Sequence, residues 1–337
     1  MTQEKTLKAF AKLGREMMSL ATEENLRENE MLNPWFTREF SVFALESLSK
    51  MLHKKKLYEW AARYPHKKSG SRPKTIAVIT AGNIPLVGFH DFMCVLVSGN
   101  NFLGKISHKD NYLFSKISEL LIKIDPGFSE KITFTDEKPG TFDAIIATGS
   151  DNSANYFEYY FKKYPHIIRK NRNSVAVLTG DETEEDLKYL AKDVFLYFGK
   201  GCRNVSKIYL PEKYDFKQFE KPFSEYKHLM DHNKYINNFD YYKSIYLLNR
   251  EEYYDAGNIL LKKSSDLSSP ISVLYYENYG DICNLADTFI SIKDRLQCVI
   301  SNSGKIPGAI GFGKAQQPEI DDYADGVDTM KFLSERI

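Results

Sequence analysis

Apolar residues recur at helical spacing through the first part of the chain. The clearest stripe lies in the second predicted helix and consists of Phe36, Phe40, Phe43, Leu45, Leu48 and Leu52. Such spacing places one face of a helix against the interior of the protein. The pattern therefore predicts that residues 4–62 are helical with few breaks. The polar, basic stretch at 65–73, PHKKSGSRP, is predicted to be a linker because glycine and proline interrupt regular structure there.

From Thr75 onward, short apolar runs alternate with helical stretches. The predicted strands are 75–80, 101–106, 131–134 and 143–148, and the predicted helices are 85–98, 110–124 and 151–163. Strands and helices in units of this length favour a parallel sheet with helical crossovers. Continuous apolar runs such as 76–79 and 144–147 are what a sheet covered on both faces requires.

A second block with the same alternation begins at Ser174. Its predicted strands are 174–179, 205–210, 258–261, 271–276 and 296–301. One helix is predicted to open at Asp181 and Glu182 and to run to about Gly199, and another lies near 280–290. The sequence contains no internal repeat. The chain is therefore predicted to be an α/β protein with a helical N-terminus.

Composition and charge narrow the classes of function. The 337 residues are enough for two medium domains. The 46 basic and 45 acidic residues nearly cancel, which gives no support to a nucleic-acid or anionic-membrane partner. The longest apolar runs, such as 92–97, fall far short of the roughly 20 residues that a membrane span needs, and the charged N-terminus lacks the features of a signal peptide. We therefore expect a cytoplasmic protein.

The four cysteines form no CxxC pair, so the sequence predicts neither a disulfide framework nor a metal site. Cys202 lies in F-G-K-G-C-R-N, between glycines and charged residues. Lys200 and Arg203 are expected to lower the pKa of its thiol and so to favour the nucleophilic thiolate. The competing interpretation is a buried, inert side chain, which is the usual role of this residue. That interpretation applies to the remaining three, Cys94, Cys283 and Cys298.

Three glycine-containing turns follow predicted strands: T-A-G-N-I-P-L at 80–86, G-N-N-F-L-G-K at 99–105 and A-T-G-S at 147–150. A Gly-Ser turn between a strand and a helix exposes backbone N–H groups at the helix N-terminus, where phosphate groups bind. Each turn alone could equally be an ordinary turn of an α/β fold. Neither GxGxxG nor GxxxxGK[ST] is present, so the common nucleotide-binding fingerprints are absent.

Taken in order, four segments of the chain resemble those of the aldehyde dehydrogenase superfamily. TAGNIPL resembles the superfamily's P-W-N-x-P-[LF] segment, and VLVSGNNFLGKISHKD resembles its A-L-A-x-G-N-x-x-x-x-K-P-S-E segment. ATGS resembles its F-T-G-S turn. GKGCRNVSKIYL resembles the G-Q-x-C-x-x-x-x-R-[IV]-[YF]-[VL] segment around the superfamily's catalytic cysteine. The segment 312–330 resembles the end of the bacterial LuxC-type fatty acyl-CoA reductases. The resemblance implies a Rossmann-type cofactor domain and a second α/β catalytic domain that presents the nucleophile across a cleft.

The resemblance also implies roles for individual residues. Cys202 takes the place of the nucleophile, and Asn83 that of the asparagine whose amide forms the oxyanion hole with the cysteine's own backbone N–H. Lys105 matches the lysine that binds the adenosine ribose, and Gly149 and Ser150 match the turn that binds the pyrophosphate. Ordinary structural roles are the alternatives. Asn83 could be a turn asparagine, and Lys105 a solvated lysine at a strand end. Gly149 and Ser150 could form a plain helix N-cap.

Two departures from the superfamily pattern bear on the reaction. Aldehyde-oxidising members carry a glutamate before the cysteine that activates water to hydrolyse the thioacyl enzyme, and Arg169 stands at that position here. A guanidinium cannot act as a general base, so this departure favours acyl reduction over aldehyde oxidation. The glutamate that binds the nicotinamide ribose is also missing, and Asp266, in Asp266-Leu-Ser-Ser-Pro, is the candidate substitute.

Cofactor preference is predicted from the segment after the second strand. NAD-selective sites usually present a carboxylate to the ribose, and that carboxylate repels a 2′-phosphate. Here His108 stands at the acidic position, Lys105 and Lys109 add positive charge, and Ser107 can donate a hydrogen bond. Asp110, the nearest acid, is interpreted as a helix cap that faces its own backbone. We therefore expect NADPH to be preferred, with NADH as the alternative.

These observations predict an NAD(P)H-dependent acyl-CoA reductase that converts an acyl thioester to an aldehyde through a Cys202 thioacyl intermediate. Residues 1–168 are expected to form the helical N-terminus and the cofactor-binding domain. Residues 169–305 are expected to form the catalytic domain with Cys202. Residues 306–337 are expected to be a tail that packs back on the cofactor domain or on a partner subunit. Two alternatives stay open. One is an acyl-phosphate reductase or aldehyde dehydrogenase of the same superfamily, and the other is a non-catalytic scaffold subunit of an acyl-transfer complex.

The expected small-molecule partner is an acyl-CoA or another acyl thioester. A second copy of the chain, an acyl-transferase and an acyl-protein synthetase are the candidate protein partners. Many Tyr and Phe residues lie between 235 and 279. They are interpreted as core and oligomer interface, with an acyl tunnel as the alternative.

Overall fold

The computed structural model describes residues 2–65 and 72–337 of the chain. Residues 66–71, which make up most of the predicted linker, lie outside the described residues. The chain forms two compact units, one of Met1–Asn171 with Pro318–Ile337 and the other of Arg172–Gln317. The boundaries that the sequence suggests after residues 168 and 305 stay predictions.

Helices form the N-terminal part of the first unit, as the sequence predicts. They are α1 (Gln3–Glu16), α2 (Glu23–Leu32), α3 (Arg38–Met51) and α4 (Lys54–Ala61). The hydroxyls of Thr2, Thr22 and Thr37 each accept a backbone N–H from the first turn of the helix that follows, so threonine fixes where these helices begin. Phe36 and Phe40 of the apolar stripe are fully buried, which confirms that this stripe packs inwards.

A five-stranded parallel sheet forms the rest of the first unit together with its covering helices. Its strands are β1 (Thr75–Ile79), β2 (Asn101–Lys105), β3 (Ile132–Phe134), β4 (Ala144–Thr148) and β5 (His166–Arg169). The helices are α5 (Phe89–Val97), α6 (Asn111–Ile124) and α7 (Asp151–Phe161). The strand order is β3-β2-β1-β4-β5, so the winding of the chain reverses between β1 and β4. Ligands of such sheets bind at the carboxyl edge beside this switch point.

The second unit contains a six-stranded sheet with the order β11-β6-β7-β10-β9-β8. Its strands are β6 (Asn173–Val177), β7 (Val205–Pro211), β8 (Tyr254–Asp255), β9 (Leu260–Lys263), β10 (Val273–Tyr279) and β11 (Leu296–Ile300). Its helices are α8 (Glu184–Phe195), α9 (Lys217–Ser224), α10 (Asn233–Leu248) and α11 (Ile282–Ser291). All neighbouring strands are parallel except β8, which runs antiparallel to β9. The predicted α/β class with parallel sheets is therefore confirmed.

The segment 318–337 returns to the first unit, where it ends in helix α12 (Thr329–Glu335) and packs against α5. Polar groups hold it in place. The Trp60 indole N–H donates to the Tyr323 hydroxyl at 2.8 Å, and a His90 ring nitrogen lies 2.8 Å from the Ile320 carbonyl oxygen. The end of the chain is therefore part of the first unit's core.

Two helices begin later than the sequence suggests. α5 begins at Phe89 rather than at the start of the predicted stretch, because Leu86 takes a left-handed conformation with φ of 60°, which a helix does not accommodate. α8 begins at Glu184, because Thr183 forms a capping box with Asp186, and this motif sets the first turn of a helix.

The aromatic stretch at 235–279 is more regular than its sequence suggests, since α10 covers its first part. Phe239 and Tyr246 of α10 are buried in a cluster with Leu260 and Val273, which supports the interpretation of these aromatic residues as core. Among the described helices, none combines the length and the apolar character that crossing a lipid bilayer requires.

Candidate active site

Cys202 lies in a tight turn of the second unit, between a 3₁₀ helix (Leu196–Gly199) and β7. The buried side chain of Asn204 holds this turn. Its Oδ1 accepts the Gly201 N–H at 2.8 Å, and its amide nitrogen donates to the Leu196 carbonyl at 2.8 Å. The turn is therefore fixed by internal hydrogen bonds, and the Cys202 side chain is half-buried.

Ser174, near the start of β6, joins the Cys202 turn to β11. Its hydroxyl donates to the Cys202 carbonyl at 2.9 Å, lies 3.0 Å from the Cys298 Sγ and accepts the Cys298 N–H at 3.3 Å. Ser174 is fully buried, and burial raises the pKa of the neighbouring Cys298 thiol to about 11. Cys298 is therefore protonated at neutral pH, in keeping with the unreactive role expected of it.

Backbone groups hold the charged side chains near this turn. Arg203 donates to the Ala315 carbonyl at 3.4 Å. The buried Asp193 carboxylate accepts the N–H groups of Gly313 at 2.6 Å and Ala315 at 3.1 Å, while burial raises the pKa of Asp193 to about 7. The chain after β11 is thereby fastened both to α8 and to the turn. The effect of the flanking cations on the pKa of the Cys202 thiol stays a prediction.

The other cysteines differ from one another in exposure. Cys94 is buried in α5 as expected, and burial raises the pKa of its thiol well above the usual value. Cys283 is exposed, so the expectation that it is buried is wrong. The reason lies in its position on α11, where Ile282, Leu285 and Phe289 form the buried face and Cys283 points away from it.

Asn83 lies in the first unit, in the loop between β1 and α5. Gly82 packs closely against Ser107, since a Cβ on Gly82 would fall 2.3 Å from the Ser107 Oγ. On the other side, Asp110 Oδ1 accepts the Leu86 N–H at 2.8 Å and so stabilises the left-handed conformation of Leu86. The loop is therefore held before and after Asn83.

Asp110 does not cap α6, so that sequence interpretation is wrong. Its side chain accepts no hydrogen bond from the first turn of the helix and contacts the backbone of the Asn83 loop instead. Burial raises the pKa of Asp110 well above its ordinary value. Burial thus disfavours the charged form of this carboxyl group.

Lys105 and Ser107, two of the predicted cofactor residues, lie at the carboxyl edge of the first unit's sheet. Lys105 is half-buried and ends β2, next to the end of β1. The Ser107 N–H donates to the Thr80 Oγ1 at 3.2 Å, which joins the segments that follow β1 and β2. Both residues thus stand beside the loop that carries Asn83.

Gly149 and Ser150 lie at the same edge, after β4. The Ser150 hydroxyl accepts the Ser153 N–H at 3.4 Å and caps α7. A Cβ on Gly149 would fall 2.7 Å from the Ser153 Cβ, so a side chain at this position would force the helix to shift. The turn brings backbone and helix N-terminus together beside the switch point of the sheet, where an anionic ligand is stabilised.

Asp266 lies in the second unit, exposed in the loop between β9 and β10. Two side chains of β7 hold this loop. Ser206 Oγ donates to the Leu267 carbonyl at 2.6 Å, and Lys207 Nζ donates to the Ser265 carbonyl at 3.0 Å. Because β7 begins directly after the Cys202 turn, the loop is fastened to the strand that follows the candidate nucleophile.

Arg169, which stands where the resemblance expects a general base, is the buried last residue of β5. Its guanidinium pairs with both carboxylate oxygens of Asp91 on α5, and it donates to the Thr329 hydroxyl at 2.9 Å. A bidentate pair of this kind is strong and geometrically specific. Arg169 therefore joins α5, β5 and α12 and takes no proton from water.

The structure groups the predicted site residues by unit. The first unit contains Asn83, Lys105, Ser107, Gly149 and Ser150, which lie at the carboxyl edge of its sheet, Lys105 at the end of β2 and the others after their strands. The second unit contains Cys202 and Asp266. Sequence reasoning missed Ser174 and Asn204, which hold the Cys202 turn, and Asp193, which holds the segment after β11. The available signal was a polar residue within an apolar run, as in S-V-A-V and L-A-K-D-V-F.

A family model and several solved structures resemble this chain. A family model of acyl-CoA reductases (LuxC) matches residues 5–230. No curated protein sequence matches the chain. Solved structures that resemble it are aldehyde dehydrogenases, and their low sequence identity means that they show the fold alone.

Three of these structures illustrate the similarity. Aldehyde dehydrogenase 21 from Physcomitrella patens, in complex with the reaction product succinate, matches with a TM-score of 0.67 and 11% identity over 99% of this chain and 84% of that one. Betaine aldehyde dehydrogenase from Staphylococcus aureus matches with a TM-score of 0.64 and 12% identity, over 91% of this chain and 73% of that one. Aldehyde dehydrogenase C from Pseudomonas syringae, in complex with NAD+ and octanal, matches with a TM-score of 0.63 and 10% identity, over 92% of this chain and 76% of that one.

Proposed function

We propose that this chain, which belongs to the acyl-CoA reductase (LuxC) family, reduces an acyl thioester to an aldehyde with Cys202 as nucleophile and NADPH as reductant. Family and fold make the chain an oxidoreductase that acts at the aldehyde level. The observation that carries the finer proposal is the half-buried Cys202 on a turn held by Ser174 and Asn204.

The first unit fits a nicotinamide dinucleotide. Its switch point between β1 and β4 suits such a ligand, and the close Gly149 turn before the N-terminus of α7 suits a pyrophosphate. Lys105 would bind the adenosine ribose, and Asp266 the nicotinamide ribose. Burial raises the pKa of Asp110 and so disfavours its charged form, which weakens its repulsion of a 2′-phosphate and supports NADPH over NADH. When bound, the reduced nicotinamide supplies a hydride.

Cys202 would act first, as its thiolate attacks the carbonyl carbon of the thioester. The new C–S bond forms as the bond to the leaving thiol breaks, and the released thiolate takes a proton from water. The Asn83 amide and the Cys202 N–H would donate to the oxyanion. Hydride addition to the thioacyl carbon gives a thiohemiacetal on Cys202. Its collapse breaks the C–S bond, releases the aldehyde and restores the thiolate.

Arg169 supports reduction over hydrolysis of the thioacyl enzyme. Its guanidinium is committed to Asp91 and Thr329 and has no basic lone pair. The thioacyl enzyme would therefore persist in water until hydride or a thiol reaches it. This is the property that a thioester reductase needs.

The experiment that tests this proposal is an assay of NADPH oxidation with octanoyl-CoA and octanoyl phosphate. We expect turnover of the thioester by the wild-type protein and none by Cys202→Ala. Cys283→Ala removes an exposed cysteine of the same unit and should retain full activity. Turnover confined to the acyl phosphate, or retained by Cys202→Ala, would overturn the proposal.

The cytoplasm is the proposed setting, because free thiols stay reduced there. The proposed macromolecular partners are a second copy of the chain or an acyl-transferase or acyl-protein synthetase that exchanges acyl groups with it. Light scattering of the purified protein, alone and mixed with each candidate partner, tests these associations.

A further inference from the structure

A second cysteine of the second unit, Cys298, lies beside the turn that carries Cys202. The Ser174 hydroxyl contacts both residues, since it donates to the Cys202 carbonyl at 2.9 Å and lies 3.0 Å from the Cys298 Sγ. Because its own proton goes to that carbonyl, the hydroxyl oxygen accepts from the Cys298 thiol. Both cysteine side chains are half-buried. The two residues therefore share one hydrogen-bond partner.

The strand register gives the same adjacency. β6 lies between β11 and β7, and its Ser174 pairs with Cys298 on one side and with Val205 on the other. Side chains of directly paired residues point to the same face of a sheet. Cys202 precedes Val205 by three residues. The Cys298 thiol is therefore on the face of the sheet on which Ser174 contacts the Cys202 turn.

The two thiols also interact electrostatically. Burial, and to a smaller extent negative charge on Cys202, raise the pKa of Cys298 to about 11 against the opposing effect of Arg203. Such an effect requires the two thiols to be near each other. A protonated thiol is a poor target for peroxide, which reacts with thiolates. Cys202, with Lys200 and Arg203 beside it, is therefore expected to be the residue that peroxide oxidises first.

We propose that Cys298 is a resolving cysteine, which forms a reversible disulfide with Cys202 after hydrogen peroxide has oxidised Cys202. In the first step the Cys202 thiolate attacks one peroxide oxygen and the O–O bond breaks. Cys202 becomes a sulfenic acid, and the released hydroxide takes up a proton. In the second step the Cys298 sulfur attacks the Cys202 sulfur, the S–O bond breaks, and hydroxide leaves as water with the Cys298 proton. Two thiols are thereby oxidised to one disulfide, and one peroxide is reduced to two water molecules.

The first step favours the second. Conversion of the Cys202 thiolate to a sulfenic acid removes the negative charge that helps to raise the pKa of Cys298, while the charge of Arg203 continues to lower it. The Cys298 thiol then ionises more readily. The disulfide forms before further peroxide oxidises the sulfenic acid irreversibly to a sulfinic acid, so Cys298 protects the candidate nucleophile. The disulfide itself goes beyond the proposed function, and only the accompanying loss of activity rests on it.

The test is peroxide treatment of the wild type and two matched variants. Cys298→Ser removes the resolving sulfur and keeps a hydrogen-bonding group beside Ser174. Cys283→Ser removes an exposed cysteine of the same unit. Each protein would be treated with a small excess of hydrogen peroxide, blocked with N-ethylmaleimide and analysed by intact mass and by peptide mapping without reduction. Reduction of octanoyl-CoA would be assayed on unblocked samples before and after dithiothreitol.

We expect the wild type and Cys283→Ser to lose the mass of two hydrogen atoms, to yield a linked peptide pair with Cys202 and Cys298, and to recover nearly full activity with dithiothreitol. Cys298→Ser should gain the mass of two oxygen atoms on Cys202 and recover little activity. A sulfinic acid on Cys202 of the wild type, or a disulfide that contains Cys283 instead of Cys298, overturns the inference while the proposed function stands. A wild type that forms the linked pair but reduces no thioester overturns the proposed function alone.

Discussion

The chemistry proposed for Cys202 depends on neighbours that satisfy the backbone of its turn. Asn204 bonds to the chain on both sides of Cys202, and Ser174 occupies its carbonyl. Because these partners are buried, the turn cannot easily exchange them for water. We expect this to hold the Cys202 N–H in one direction, which is what a preorganised oxyanion donor requires.

Asn83 tests the oxyanion hole. Its loop is held by Gly82 against Ser107 and by Asp110, so Asn83→Ala should leave the loop in place and remove one donor. Loss of one such donor costs roughly 10²–10³ in rate, and we expect that loss in kcat with cofactor affinity unchanged. Steady-state kinetics and cofactor titration measure the two. Loss of cofactor affinity alone would mean that Asn83 belongs to the cofactor site.

Lys105 tests cofactor choice. A charge-assisted hydrogen bond to a phosphate is worth about 1.5 kcal/mol or more, so Lys105→Ala should weaken NADPH about tenfold and NADH much less. Fluorescence titration of both cofactors measures the difference. Lys123→Ala removes a charge from the last turn of α6, away from the carboxyl edge, and should change neither affinity. Wild-type protein that binds NADH more tightly than NADPH would contradict the NADPH proposal.

At the residue scale, the sequence singles out the candidate nucleophile but not the residues that hold its turn. Cys202 stood out because glycines and charges surround it, whereas Ser174 and Asp193 are single polar residues within apolar runs. The structural role of such residues depends on a hydrogen bond to a backbone group that is distant in sequence, as between Ser174 and Cys298 of β11. Asp110 was interpreted as a local cap because its partner, Leu86, is far away in sequence.

At the scale of elements, α8 is joined to the chain after β11 by a titratable group. The Asp193 carboxylate accepts two N–H groups of that segment, and burial raises the pKa of Asp193 from 3.8 to about 7. The folded protein therefore holds a proton there that the unfolded chain releases above its lower pKa. Unfolding then releases a proton between these two pH values, so the free energy of unfolding should fall as pH rises from about 4 to about 7.

Asp193→Asn removes this titration. We expect the variant to lose most of the decline in stability between pH 5 and pH 7, although it loses one hydrogen bond throughout. Urea unfolding followed by circular dichroism at several pH values measures the slope. Asp266→Asn, at an exposed position in the same unit, should keep the wild-type slope. A wild-type stability that rises steadily from pH 5 to pH 7 in this unit would contradict the assignment.

The elements that sequence missed have a common cause. β5 contains only a short apolar run that ends in Arg169. An arginine is normally predicted to be exposed, and its burial here depends on the ion pair with Asp91, which is distant in sequence. α10 is rich in Tyr and Asn, which are weak helix formers, and few of its side chains are buried. Strands β1 and β4 were readable because their apolar runs are continuous.

At the scale of the whole molecule, the second unit is inserted into the first, since 318–337 returns after 172–317. The buried Asp91–Arg169 pair with Thr329 joins α5, β5 and α12 across this insertion. The sequence predicts that 306–337 is a tail that packs back on the cofactor domain or on a partner subunit. Polar contacts between residues far apart in the chain hold it, together with buried apolar side chains such as Met330 and Leu333.

Asp91→Asn tests this junction. Removing one partner of a buried ion pair leaves an uncompensated charge and costs about 3–5 kcal/mol, which we expect as a lower urea midpoint for the first unit. Glu319→Gln breaks an exposed pair with Lys56, of 2.5 Å, in the same returning segment and should cost less than about 1 kcal/mol. Equal effects of the two substitutions would contradict the structural role given to Arg169.

The proposed mechanism requires a thioacyl group on Cys202. We would mix the protein with octanoyl-CoA without reduced cofactor, measure the intact mass and the released thiol, and locate the adduct by peptide mapping. We expect one octanoyl group on Cys202, one equivalent of coenzyme A released, and slow loss of the adduct in water because Arg169 supplies no base. Addition of NADPH should remove the adduct and form octanal. An unmodified Cys202, or an adduct on another residue that turns over at the same rate, would contradict it.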